Sequence, residues 1–300
     1  MESLAAKHAS AAEELQRRLV PAAGGAIRVG LSGPPGVGKS TFIEALGLHL
    51  VERGHRVAVL AVDPSSTLTG GSILGDKARM NGLAMHERAF VRPSPSAATL
   101  GGVARRTREA LTVVEAAGYD VVLVETVGVG QSETAVDDMV DTFCVLMLPG
   151  AGDELQGIKK GIIELADVLV IHKADGDNLG RAKTTKGDLD AALHYLRPKR
   201  EVWHPRTVLA SSLEKLGIDE VWSAIADHRS TLERTGELET TRAAQRRRWL
   251  WDHVREALDG DFRDHGAVRE SLPGIEAEVA SGQLPVSEGA RRLLDAWRSR

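Results

Sequence analysis

The run Gly33-Pro34-Pro35-Gly36-Val37-Gly38-Lys39-Ser40-Thr41 combines glycines, a lysine and hydroxyls at the spacing G-x-x-x-x-G-K-[ST]. That pattern suits phosphate chemistry. The glycines clear Cβ atoms from a place where backbone N–H groups must converge on an anion. Lys39 would bridge β- and γ-phosphates, and the Ser40 hydroxyl is a hard oxygen for Mg²⁺. An apolar strand precedes the run and a helical pattern follows it, so the helix adds its positive end to the same point. These residues imply a nucleoside triphosphate site.

Acidic residues at the ends of two further strand-like runs supply the rest of a metal shell. One run ends in Asp63-Pro64-Ser65-Ser66 and the other in Glu125-Thr126-Val127-Gly128-Val129-Gly130-Gln131-Ser132-Glu133. Acids at the C-terminal ends of parallel strands sit where open α/β sheets bind ligands. Glu125 with Gly128 reads as E-x-x-G, one methylene longer than the usual D-x-x-G, which favours contact with the metal through water. The Gly128 N–H would meet the γ-phosphate, so 126–133 is a candidate switch. No residue declares itself as the group that positions the attacking water, and Gln131, Glu133 and Asp153 remain candidates. A third run ends in His172-Lys173-Ala174-Asp175, where guanine-reading proteins place N-K-x-D. The Asp175 carboxylate suits the N1–H and exocyclic amine of guanine, and it would repel the adenine N1 acceptor. Histidine in place of asparagine predicts weaker nucleotide affinity or looser base selectivity. Ser211-Ser212, after a fourth run, occupies the place of a base-supporting loop.

Elements that could hold these residues follow from periodicity. Consecutive apolar residues predict strands over 26–32, 56–62, 120–125, 142–148, 167–171 and about 206–210, with a shorter one near 88–92. Helical patterns lie between them at 38–52, 97–117, 132–139, 154–165 and 179–196. This alternation predicts an α/β fold, a doubly wound and mainly parallel sheet of the P-loop NTPase type. Residues 1–25 form an N-terminal helical extension, 26–212 the nucleotide domain, and 213–300 a helical tail. In the tail, helical spacing is broken at Gly260, at Pro273-Gly274 and between Gly282 and Pro285.

Composition bounds the class. The 300 residues carry a formal charge of −4, 42% hydrophobic and 27% charged residues, and one cysteine. Near-neutral charge argues against a nucleic-acid partner, and the absence of a long apolar run argues against a membrane span. The single Cys144 excludes an internal disulfide and suits a reducing cytoplasm. The tail holds eleven arginines against ten acids over 241–300, so Arg246-Arg247-Arg248 reads as part of a mixed-charge face. Its tryptophans read as docking and dimer-contact anchors, with Trp203 just inside the nucleotide domain.

The stretches GLSGPPGVGKST, VLAVDPSS, ILGDKARM, VETVGVGQSE, PGAGDELQGIKKGI and HKADGDN together resemble the MeaB/ArgK-type P-loop GTPases of the SIMIBI class, closely over about 28–180. The resemblance implies a GTPase chaperone for an adenosylcobalamin-dependent acyl-CoA mutase such as methylmalonyl-CoA mutase. GTP binding and hydrolysis to GDP would gate cofactor loading and protect or reactivate that mutase, with no cobalamin bound directly by this chain. It implies Lys39 and Ser40 at phosphate and Mg²⁺, and Asp63, Asp76 and Glu125 near the metal. It further implies a coupling segment at 151–161 with Asp153, Gln156, Lys159 and Lys160, and a homodimer through the C-terminal helices. Two other readings of a P-loop on such a sheet are a small-molecule kinase and an ATP-dependent scaffold. The Lys173/Asp175 pair counts against both.

Overall fold

A computed structural model of the chain describes residues 6–62, 80–92, 100–126, 132–150 and 160–299. The apolar runs become β1 (Ile27–Ser32), β2 (Val57–Val62), β3 (Ala89–Arg92), β4 (Val121–Thr126), β5 (Thr142–Met147), β6 (Val168–His172) and β7 (Arg206–Ala210). β2, β4, β5 and β6 are buried along their whole length, which is why they read as continuous rather than alternating. Among the described residues they form one parallel sheet in the order β3-β2-β4-β1-β5-β6-β7. The order reverses beside β1. That switch point, at the carboxyl ends of β1, β4 and β5, is where such a sheet opens a ligand crevice.

Helix α1 (Ala6–Leu19) precedes the sheet, and the helices between the strands are α2 (Lys39–Glu52), the short α3 (Asn81–Ala84), α4 (Leu100–Ala116), α5 (Ser132–Asp137), α6 (Lys160–Leu165) and α7 (Leu179–Tyr195). α2 anchors the crevice. Phe42, Ile43, Leu46 and Leu50 are fully buried on it, and each such side chain contributes roughly 1.5–3 kcal/mol of apolar burial. The helix after β7, α8 (Ile218–Thr235), is bounded by Gly217 and Gly236, both with positive φ, and carries Asp219 and Glu220 in its first turn and Arg234 in its last. Gly217 is irreplaceable on geometry: at φ 72° an added Cβ would stand 1.9 Å from the Leu209 carbonyl oxygen.

The chain divides into two compact units, 1–245 and 246–300. The first includes α8 and the start of α9 (Glu237–Asp264), because Arg242 and Gln245 are buried there. The second unit contains α10 (Gly266–Ala280) and α11 (Val286–Arg298). Two expected breaks are absent. α9 runs through Gly260, and α10 runs through Pro273-Gly274. A mid-helix proline costs roughly 3 kcal/mol, and tertiary packing offsets it here. α11 presents Gly289 so closely to α10 that a Cβ would lie 2.8 Å from Val279 and 3.2 Å from Ile275. Trp203 is a core residue: it is 6% exposed, donates from Nε1 to the Asp167 carbonyl at 2.9 Å, and packs on His228. Among the described residues, no helix is long and apolar enough to cross a membrane.

His228 on α8 is fully buried, with Nδ1 2.7 Å from Thr142 Oγ1 and Nε2 3.6 Å from Asp167. Burial pushes its pKa down to about 4, with Arg200 and Lys199 adding to that and Asp167 and Asp141 opposing it. The folded chain therefore refuses a proton that the unfolded chain accepts near pH 6.5. The resulting stability is present in full above pH 6.5 and is lost as pH falls towards 4, by about 3 kcal/mol over that window. Urea midpoints at a series of pH values should show this slope, and His228→Gln should flatten it. An equal slope in both chains would place the acid sensitivity elsewhere.

Candidate functional site

The phosphate loop leaves β1 at Ser32 and enters α2 at Lys39, so strand and helix fix its two ends. Gly33 adopts φ 152°, and a Cβ there would lie 2.5 Å from the Leu146 carbonyl oxygen of β5. Lys39 is 9% exposed and donates to the carbonyls of Gly33 at 2.7 Å and Pro34 at 3.3 Å, so its ammonium is held inside the curl of the loop. Burial lowers the Lys39 pKa, while the charges of Glu125 and Glu133 act to raise it. Both acids are buried, at the end of β4 and on α5.

Ser40 and Glu125 meet. The Ser40 hydroxyl donates to Glu125 Oε1 at 3.1 Å. Beside them Thr126 Oγ1 hydrogen-bonds to Ser32 Oγ at 2.9 Å, fixing the end of β4 against β1. A hydroxyl and a carboxylate together on the phosphate side form a hard-oxygen donor set, which fits Mg²⁺ completed by phosphate oxygens and water. Among the described residues there is no cluster of three or more His, Cys, Asp or Glu side chains able to hold a metal alone. Asp63, Asp76, Gly128, Gln131, Asp153, Gln156 and Lys159 lie outside the described residues. Lys160 opens α6, and nothing about its side chain is described.

The candidate base-reading residues converge on the same loop from the ends of β6 and β7. Lys173 adopts φ 59°, a left-handed conformation that costs a non-glycine residue roughly 1–2 kcal/mol, and its Nζ donates to the Gly36 carbonyl at 2.8 Å. Strain of this kind gathers at functional sites. Ser211 Oγ donates to Asp175 Oδ2, and Ser211 and Leu216 exchange backbone hydrogen bonds of 2.9 and 3.0 Å that close the loop between them.

His172 is 3% exposed and has two partners that the sequence did not show. Its Nδ1 lies 2.7 Å from the Val37 carbonyl and its Nε2 2.7 Å from Ser212 Oγ. Phe42 packs edge-on against the ring at 5.6 Å between centroids. Burial lowers the His172 pKa and Lys173 adds to that, while the bond to Val37 and the charge of Asp175 oppose it. Val37 already belongs to the phosphate-loop run, but Phe42 was missed as a site residue because an apolar side chain inside a helix carries no polar signal.

Comparison with known proteins agrees with this geometry. The family model described as methylmalonyl Co-A mutase-associated GTPase MeaB matches residues 1–266. The chain is 53% identical over 297 residues to a putative GTPase of Caulobacter vibrioides, covering 99% of this chain and 91% of that protein. It is 51% identical over 258 residues to the GTPase ArgK of Escherichia coli strain K12, covering 86% and 78%. A crystal structure titled LAO/AO transport system kinase matches with a TM-score of 0.76 at 40% identity, covering 98% of this chain and 89% of that one.

Proposed function

The chain belongs to the family of methylmalonyl-CoA mutase-associated GTPases of the MeaB type, and on that premise we propose that it hydrolyses GTP slowly as a metallochaperone for a B12-dependent acyl-CoA mutase. The cycle would gate loading of adenosylcobalamin onto the mutase and protect or reactivate it. One observation carries the guanine part of this reading. Lys173 and Asp175 are tied to the phosphate loop and the Ser211 loop by hydrogen bonds, so a base edge and a phosphate chain can be held at once.

In the proposed reaction, Lys39 leaves the Gly33 and Pro34 carbonyls for the β- and γ-phosphates, and the loop amides hold the charge that develops during in-line attack by water. Ser40 and Glu125 would hold Mg²⁺, which neutralises phosphate charge when bound. Asp63 and Asp76 would complete the acidic surroundings. Gln131, Glu133 and Asp153 remain the candidates for orienting the water, and Gly128 for meeting the γ-phosphate. A site with no single dominant water-orienting group implies slow turnover until a partner completes it. The segment with Gln156, Lys159 and Lys160 would report the nucleotide state to the mutase.

We also propose a cytoplasmic homodimer. Within the second unit, Leu250, Trp251 and Leu258 are exposed on one helix, which supports a helical contact between copies. No cobalamin site is proposed on this chain. The test is affinity capture from native extract with the full chain loaded with a non-hydrolysable GTP analogue, with GDP or with no nucleotide. Recovery of a cobalamin-dependent mutase supports the chaperone role, and its absence in all three states counts against it. Phosphate release without any acceptor separates hydrolysis from a kinase reaction, and equal-concentration competition of GTP with ATP tests the base.

A further inference from the structure

Histidine at the position where asparagine is usual looks from sequence like a loss of affinity, and the structure suggests the reverse. We propose that His172 is a positioning residue that couples the guanine-reading loop to the phosphate loop, tightening nucleotide binding through two simultaneous hydrogen bonds. The inference rests on the GTP-binding reading of this site.

The hydrogen-bond directions follow from the partners. A backbone carbonyl only accepts, so Nδ1 must carry the hydrogen that it donates to Val37. A neutral imidazole then leaves Nε2 bare, and Nε2 accepts from the Ser212 hydroxyl. The ring's burial, which disfavours its charged form, agrees with this tautomer. Ring orientation is fixed from two sides. Phe42 packs against it in a T-shaped arrangement, and Gly38 lies so close that a Cβ would stand 2.9 Å from His172 Cε1.

Reach makes histidine different from asparagine here. The asparagine amide ends at the distance of Nδ1, so it could still meet Val37. Nothing in asparagine extends to the Nε2 position, and Ser212 would lose its partner. The neighbouring Ser211 holds Asp175, and the loop carrying both serines is closed by the Ser211–Leu216 backbone pair. The aim of Asp175 at a base edge is therefore linked, through Ser211, Ser212 and His172, to a phosphate-loop carbonyl. Base and phosphates would be held by one connected frame.

The experiment measures release of fluorescent GDP from the full-length chain in four forms: wild type, H172N, S212A and H172N/S212A. Affinities for GDP and for inosine diphosphate, which lacks the 2-amino group, are measured in parallel. H172N and S212A should each speed GDP release by about 3- to 10-fold, the value of one hydrogen bond. The double variant should be no faster than the faster single one, because both remove the same link. The preference for GDP over inosine diphosphate should shrink in all three. Wild-type or slower release from H172N overturns the proposal, as do additive effects. Equal weakening of both nucleotides also overturns it, since that is the mark of a loosened phosphate loop alone. Ser212 is half-exposed, so S212A keeps the test decisive even if H172N fails to fold. A wild-type chain that prefers ADP to GDP overturns the guanine reading itself, and that result is visible before any variant is compared.

Discussion

Lys39→Ala should lower the rate of GTP hydrolysis by about 10³-fold, measured as γ-phosphate release in single turnover at saturating GTP. The size follows from what the side chain is and where it sits. The residue is 9% exposed, its ammonium held by two loop carbonyls and faced by the charges of Glu125 and Glu133. A charge already desolvated and aimed into the loop needs little reorganisation to meet phosphate oxygens, which is where preorganised electrostatics gain most. Alanine leaves the cradle of amides and the Ser40–Glu125 pair in place, so the remaining rate measures what those parts do without the cation. The fold should be little changed, because the lost bonds lie in a loop and not in the sheet. A thermal melt within a few degrees of wild type is the control. Unchanged turnover would remove Lys39 from the chemistry and with it the present view of the mechanism.

The parts of this site that were legible in the sequence are those set by local rules. The runs of β2, β4, β5 and β6 are continuous because both faces of the sheet are covered there, whereas the short edge strand β3 at Ala89–Arg92 is legible only as a brief apolar run, with Phe90 exposed. The phosphate loop is legible for a different reason: glycines at positions such as Gly33 answer to a backbone constraint 2.5 Å away, and no other residue meets it. Partnerships across the chain left no such trace. His172 finds Val37 135 residues away and Ser212 40 residues away, and topology, not spacing, brings them together. Ser40 and Glu125 were each legible as metal-side residues, but their mutual contact came only with the pairing of β1 and β4. Pro273 misled for the opposite reason, since its local preference is real and is outweighed by the close packing around Gly289.

The largest loss of stability should come from a residue far from the nucleotide. Asp141, just before β5, is fully enclosed by arginines from three parts of the first unit. Arg242 donates to it from Nε at 2.8 Å and Nη2 at 2.7 Å, Arg229 from Nη1 at 2.9 Å, and the Arg28 backbone N–H at 3.0 Å. Burial opposes its charge, yet the bonds from Arg242 and the charges of Arg242, Arg28 and Arg229 prevail and hold its carboxyl below the usual range. The same guanidiniums reach the carbonyls of Gly24 and Ala26, and Glu115 pairs with Arg28 at 2.6 Å, so the entry to β1 is fastened here. Asp141→Ala would strand two buried guanidiniums with only part of their partners. Breaking one side of such a pair costs about 3–5 kcal/mol, which for a chain of this size lowers the melting temperature by about 10 °C. Asp141→Asn should cost less, because its carbonyl still accepts one of the Arg242 bonds. Asp141→Ala combined with Arg242→Met should cost less than the sum of the two single changes, since the second removes a charge that the first left unpaired. Because β1 leads directly into the phosphate loop, GDP added to the Asp141→Ala chain should recover part of the lost melting temperature by binding only the folded form. A melting temperature within about 2 °C of wild type would show that the arginines find other partners, and the cluster would then not be what holds β1 in register with β5.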